Sequence, residues 1–121
     1  MTTMTIPVSH LVFDCANTGA MTAFWGALLD MKTTEDDGRW AELEPLGEGG
    51  PVLSFQKVPE GKTVKNRLHL DLRVADVPAA EERARALGAT LADEPWANRP
   101  EHNFRVWRDP EGNEFCFVRA S

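Results

Sequence analysis

Two stretches of the chain, 59 positions apart, alternate apolar and polar residues in the same way. In the later one, Leu68, Leu70, Leu72 and Val74 lie on one face, and His69, Asp71 and Arg73 on the other. A period of two marks a strand with one face on a core. The earlier one runs Val8-Ser9-His10-Leu11-Val12-Phe13-Asp14-Cys15. With His10 set on His69, Leu11 meets Leu70, Phe13 meets Leu72, Cys15 meets Val74 and Asp14 meets Arg73. Each half also closes on a short apolar strand. Gln56 in the first and Cys116 in the second give His-to-Gln and His-to-Cys separations of 46 and 47. The chain therefore reads as one module written twice, over about 7–58 and 67–119.

Helical patterns follow the two opening strands. Met21, Phe24, Trp25, Leu28 and Leu29 predict a helix over 18–29, with Asn17 or Thr18 as its N-cap. Val77, Ala80, Ala84 and Leu87 repeat that spacing after a capping Asp76 and before a terminating Gly88. Glu81 and Arg85 are placed to pair on the exposed side of that second helix. The opening strands are expected over 7–15 and 67–75. Further strands are expected at 31–35 and 39–44 around the turn Asp36-Asp37-Gly38, then at 52–57, 89–94, 104–108 and 113–119. His102, in the polar loop from Pro95 to Asn103, should face solvent. The order is βαβββ twice. The fold class that follows is α+β, with tandem βαβββ modules forming a curved antiparallel sheet cup. The strand faces turned away from the helices would line that cup.

At 121 residues the two modules are expected to share one domain. A formal net charge of −6 argues against nucleic acid or an anionic membrane as partner, since both demand concentrated positive charge. There is no apolar run of about 18 residues to span a membrane. The start, Met1-Thr2-Thr3-Met4-Thr5, lacks a signal-peptide pattern. Two cysteines, Cys15 and Cys116, are too few for a disulfide framework, and a reduced, cytoplasmic setting is expected.

The strand order comes with a set of motifs. These are His10, Phe24-Trp25 with Leu28-Leu29, the run from Leu68 to Val74, and the closing hairpin Asp109-Pro110-Glu111-Gly112-Asn113-Glu114-Phe115. Together, over about 7–119, they resemble glyoxalase-like members of the vicinal oxygen chelate superfamily, the glyoxalase, bleomycin-resistance and extradiol-dioxygenase group. The resemblance implies a small organic molecule bound in the cup and, commonly, a homodimer. Metal-dependent members usually hold a divalent ion with one residue from the first and one from the fourth strand of each module. Carried over by position, those residues are His10, Gln56, His69 and Cys116. The two histidines match the usual pattern. Gln56 stands where Glu is usual, and Cys116 replaces the last Glu.

Two imidazoles, an amide oxygen and a thiolate can complete four-coordination. The thiolate favours zinc, with nickel, manganese and iron left open. The same four residues also make a metal-free site, in which the histidines bond Gln56 or water and Cys116 is a small buried hydrophobe. A thiolate is a poor replacement for a carboxylate base, which argues against ordinary glyoxalase I isomerisation. Two functional expectations stand side by side. One is metal-dependent lyase, isomerase or dioxygenase-type chemistry; the other is metal-free binding of a small molecule, as in drug-sequestering members. Asp14, Ser54, Asp71 and Arg73 are the candidate substrate-binding residues on the same strand faces. Asp14 and Arg73 either pair with each other or leave Arg73 as a fork for a carboxylate or phosphate.

Overall fold

The structure is a computed structural model that describes residues 4–120. The chain divides into two compact units, Met1–Glu60 and Gly61–Ser121. The first contains β1 (His10–Cys15), α1 (Thr18–Leu29), β2 (Thr33–Asp36), β3 (Trp40–Pro45) and β4 (Val52–Lys57). The second contains β5 (Leu70–Val74), α2 (Val77–Ala86), β6 (Thr90–Leu91), β7 (Phe104–Arg108) and β8 (Glu114–Arg119). Their sheets are ordered β1-β4-β3-β2 and β5-β8-β7-β6, so the α+β plan of βαβββ is written twice. Each sheet is mixed rather than wholly antiparallel, because β1 runs parallel to β4 and β5 to β8. The cause is topological. The helix carries the chain back before the second strand, and two reversals then leave the fourth strand in the direction of the first.

In the first unit the helix supplies much of the core. Asn17 caps α1 by accepting the Ala20 N–H at 2.9 Å, satisfying a donor that the helix cannot. Met21, Phe24, Trp25 and Leu28 are buried on α1, and Leu43, Leu53 and Phe55 on the strands. Burying each large apolar side chain contributes about 1.5–3 kcal/mol. Phe13 meets the Trp25 ring edge-on at 5.4 Å. Gly26 allows a close chain passage: a Cβ there would lie 2.9 Å from the Met31 carbonyl oxygen.

The second unit is built differently. Asp76 caps α2 by accepting the Ala79 N–H at 3.0 Å. The helix nevertheless buries only Ala84. The large core side chains are Trp107, Phe115 and Phe117, all on strands. Glu81 does not pair with Arg85. It turns inward to accept the Trp107 indole N–H at 2.8 Å and the Arg105 Nε–H at 2.9 Å. A buried indole N–H requires an acceptor, and that need outweighs a weak surface ion pair. Arg85 pairs with Glu82 and lies 5.1 Å over the Trp107 ring.

Three strands are shorter than expected by three or four residues, two of them because side chains replace backbone in the ladder. β5 starts at Leu70 because Asn66 occupies the position ahead of it. The Asn66 amide donates to the Glu114 carbonyl at 3.0 Å, and its N–H donates to the Glu114 carboxylate at 2.8 Å. β6 covers only Thr90–Leu91. Beyond Ala92, the Asn98 side chain takes over the β7 edge, accepting the Val106 N–H at 2.8 Å and donating to its carbonyl at 3.1 Å. β1 starts at His10 rather than 7.

Candidate functional site

Two backbone bonds fix how the modules correspond. Val58 N–H donates to Cys15 O in the first, and Ala120 N–H to Val74 O in the second. Cys15 and Val74 are 59 apart, like His10 and His69, but Val58 and Ala120 are 62 apart. The counterpart of Cys116 is therefore Ser54, not Gln56. Strand register agrees: Cys116 lies beside Asp71, Ser54 beside Val12, and Gln56 beside Asp14.

On the first unit, His10 and Gln56 occupy adjacent strands four register positions apart, about 13 Å along the strand. His10 is engaged at both ring nitrogens, with Glu42 Oε2 at 3.1 Å from Nε2 and Ser9 Oγ at 2.9 Å from Nδ1. A carboxylate only accepts, so in the neutral ring Nε2 carries the proton and Nδ1 accepts from the serine hydroxyl. Trp40 also donates to Glu42, at 2.9 Å. Ser54 is fully buried, and its hydroxyl has no hydrogen-bond partner among the described residues. Asp14 and Gln56 are exposed.

On the second unit, three donors converge. One ligating atom each from His69, Asp71 and Cys116 lie within 4.8 Å of one another. His69 Nε2 stands 3.2 Å from Asp71 Oδ1. Asp71, read from the sequence as a substrate contact, thus joins His69 and Cys116 in one cluster. Period-two alternation puts His69 and Asp71 on one face, and the parallel β5–β8 pairing sets Cys116 beside them. Burial pushes the Cys116 thiol up to about 11, and the charge of Asp71 and the thiol's hydrogen bond to it act in the same direction. Near neutral pH the sulfur is therefore protonated and donates to Asp71. Arg73 lies farther along β5, exposed.

A pocket of about 520 Å³ opens beside this cluster. Trp96, Phe104, Val106 and Val118 supply apolar wall, and Lys65, His69, Asp71, Glu114 and Cys116 supply its ionisable groups. The size suits a small organic ligand. His102 is half-buried rather than in solvent, because its ring stacks on Phe104 at 4.4 Å between centroids. Glu114, which the alternation places on the lining face, is tied up. It accepts from Lys62 at 3.1 Å, Asn66 N–H at 2.8 Å and Arg108 at 3.3 Å. Burial works to raise its carboxyl, yet these three partners outweigh burial and hold it below the usual carboxylate range. Arg108 also pairs with Glu94.

A family model described as "Glyoxalase-like domain" matches residues 10–118, nearly the whole described chain. The chain belongs to the glyoxalase-like family of the vicinal oxygen chelate superfamily. Solved structures with the same fold agree. A glyoxalase/bleomycin resistance protein/dioxygenase family enzyme from Burkholderia phytofirmans superposes with a TM-score of 0.73 at 20% identity, covering 96% of this chain and 100% of that one. The fosfomycin resistance protein FosX from Mesorhizobium loti gives 0.70 at 17% identity, covering 98% and 94%. The bleomycin-binding protein from Streptomyces verticillus, solved with copper(II)-bleomycin, gives 0.62 at 19% identity, covering 98% and 100%. At these identities the likeness shows the fold alone. No protein of curated function matches the sequence. Among the described residues of this glyoxalase-like chain, no helix is long and apolar enough to cross a membrane.

Lys65, Trp96 and Phe104 were not singled out for this site by the sequence. Lys65 and Trp96 lie in irregular segments, where no periodicity assigns a face. The alternation of β7 did carry a signal for Phe104 and Val106, which share a face with Cys116 and Val118 through the β7–β8 register.

Proposed function

We propose that the second unit binds a small organic molecule in its 520 Å³ pocket, with His69, Asp71 and Cys116 holding a divalent cation beside it. The observation that supports this most is the convergence of three chemically different donors at one side of a largely apolar pocket. The donor set fits a borderline-soft ion: imidazole and thiolate favour zinc, and the carboxylate adds charge. Such an ion, when bound, supplies Lewis-acid polarisation of a ligand's oxygens. The protein's own groups have separate tasks. His69 Nε2, 3.2 Å from Asp71 Oδ1, faces the carboxylate and would have to present its lone pair there to share an ion with it, the ring's proton then sitting on Nδ1. Cys116 must give up its proton to become an anionic donor. Phe104, Val106 and Val118 exclude water from the ligand's body. Lyase or isomerase chemistry suits this arrangement better than ordinary glyoxalase isomerisation, because Cys116 is no carboxylate base. The setting we favour is a reducing cytoplasm, where the buried Cys15 and Cys116 stay thiols.

Zinc titration by calorimetry tests the reading. The wild-type chain should bind one ion per chain with release of a proton, and His69→Ala and Cys116→Ser should each weaken binding by at least about tenfold. Absence of a binding isotherm in the wild type would sink the metal reading. A second, metal-free reading is favoured by one observation: the Cys116 thiol already donates to Asp71, so the cluster is satisfied without an ion. In that case ligand binding should be indifferent to a chelator.

A further inference from the structure

The charges around the second-unit pocket are not balanced in their commitments. Glu114 is buried and held by Lys62, Asn66 and Arg108. Asp71 faces His69 and the Cys116 thiol. Lys65 has no carboxylate within ion-pairing distance among the described residues. Its ammonium lies 5.1 Å over the ring of Trp96, a contact that holds an exposed cation only weakly. Beside it stand the apolar surfaces of Phe104, Val106 and Val118. The Phe104 ring, which lines the pocket, is restrained by the stacked His102, with 16° between their planes.

We infer that the pocket takes a small organic anion: an apolar, aromatic body against Trp96 and Phe104, carrying one acidic group that pairs with Lys65. This deepens, and rests on, the reading of the second-unit pocket as the binding site. A cationic ligand would meet Lys65, and Glu114 is already neutralised by Lys62 and Arg108. The unpartnered carboxylate oxygen nearby, Oε2 of Glu94, lines a second pocket of about 410 Å³ and not this one. Lys65 and Trp96 line both pockets, so the acid-binding position lies where the two meet.

The test uses the full chain in EDTA, so that no ion can bind the acid, with 2-naphthoate and its neutral isostere 2-naphthamide as probes. Calorimetry at neutral pH reads their affinities for the wild type, Lys65→Met, Lys65→Arg and Phe104→Ala, with a melting curve for each variant. We expect naphthoate to bind at least about tenfold tighter than naphthamide, as a charge-assisted contact warrants. Lys65→Met should abolish that preference, and Lys65→Arg should retain it. Equal affinity for the two probes, or a preference that survives Lys65→Met, overturns the inference. The pocket reading survives that result if naphthamide binding is still lost in Phe104→Ala. Binding of neither probe overturns the pocket reading and the inference together.

Discussion

The helix of the first unit buries Met21, Phe24, Trp25 and Leu28; the helix of the second buries Ala84 alone. Their sheets differ in the opposite sense. The first unit's polar face carries a half-exposed His10–Glu42–Trp40 network, whereas the second holds a buried carboxylate knot at Glu114 and a pocket next to it. One topology thus supports two allocations of apolar and polar groups. Where the helix is rich in large side chains, the sheet is clamped by packing. Where the helix is mostly alanine and charge, strand aromatics and a salt-bridged loop stand in, and the loop becomes pocket wall.

The largest expected effect tests the packing half of that contrast. Trp25→Ala should cost about 3–5 kcal/mol in urea denaturation, because it removes a fully buried ring from the helix interface. Ala84→Gly, at the corresponding helix of the second unit, should cost only about 1 kcal/mol. Similar losses at the two sites would remove the asymmetry.

Glu114→Ala should follow, at about 2–3 kcal/mol, since it strands Lys62 and Arg108 and frees Asn66. Its pH dependence has a defined sign. The carboxyl is held below its ordinary 4.5 in the folded chain, so its stabilisation is fully present above that value. It is lost as pH falls through the depressed value. Wild-type and variant stabilities should therefore converge in acid, and parallel curves down to that range would contradict the knot.

The caps sharpen the comparison from the other side. Asn17→Ala and Asp76→Ala should each cost about 1 kcal/mol, because the two helices start by the same device however differently they pack. Thermal midpoints of the pair would show it. The smallest effect belongs to Glu42→Gln. Its partner His10 is 36% exposed, so the loss should stay below about 1 kcal/mol. A larger loss would mean that the first unit's polar face is more than a solvated network.

Much of this fold was legible in the chain. Alternation around His10 and His69 revealed the duplication, and helical spacing with Asn17 placed α1 at Thr18–Leu29. The closing hairpin was readable because Asp109 and Gly112 have fixed tasks: the Asp109 carboxylate accepts the Glu111 and Asn113 N–H groups at 2.9 Å, and Gly112 takes a φ of 86°. The correspondence between modules was less legible. Equal spacing suggested Gln56 for Cys116, but the loop before the third strand is longer in the second module, 92–103 against 37–39, and only backbone pairing reveals Ser54. The side-chain replacements by Asn66 and Asn98 were hidden for the same reason. An asparagine in a loop reads as a turn former, and nothing local shows that its amide will continue a sheet. The pocket was half visible: the strand residues follow alternation, whereas Lys65 and Trp96 arrive from segments without a period.

The hydrogen bond from Cys116 to Asp71 has a consequence for chemical durability. Peroxide and electrophiles attack the thiolate, and a thiol held near 11 and almost sealed from solvent presents very little of it. The contact that holds the sulfur beside Asp71 also makes it slow to oxidise.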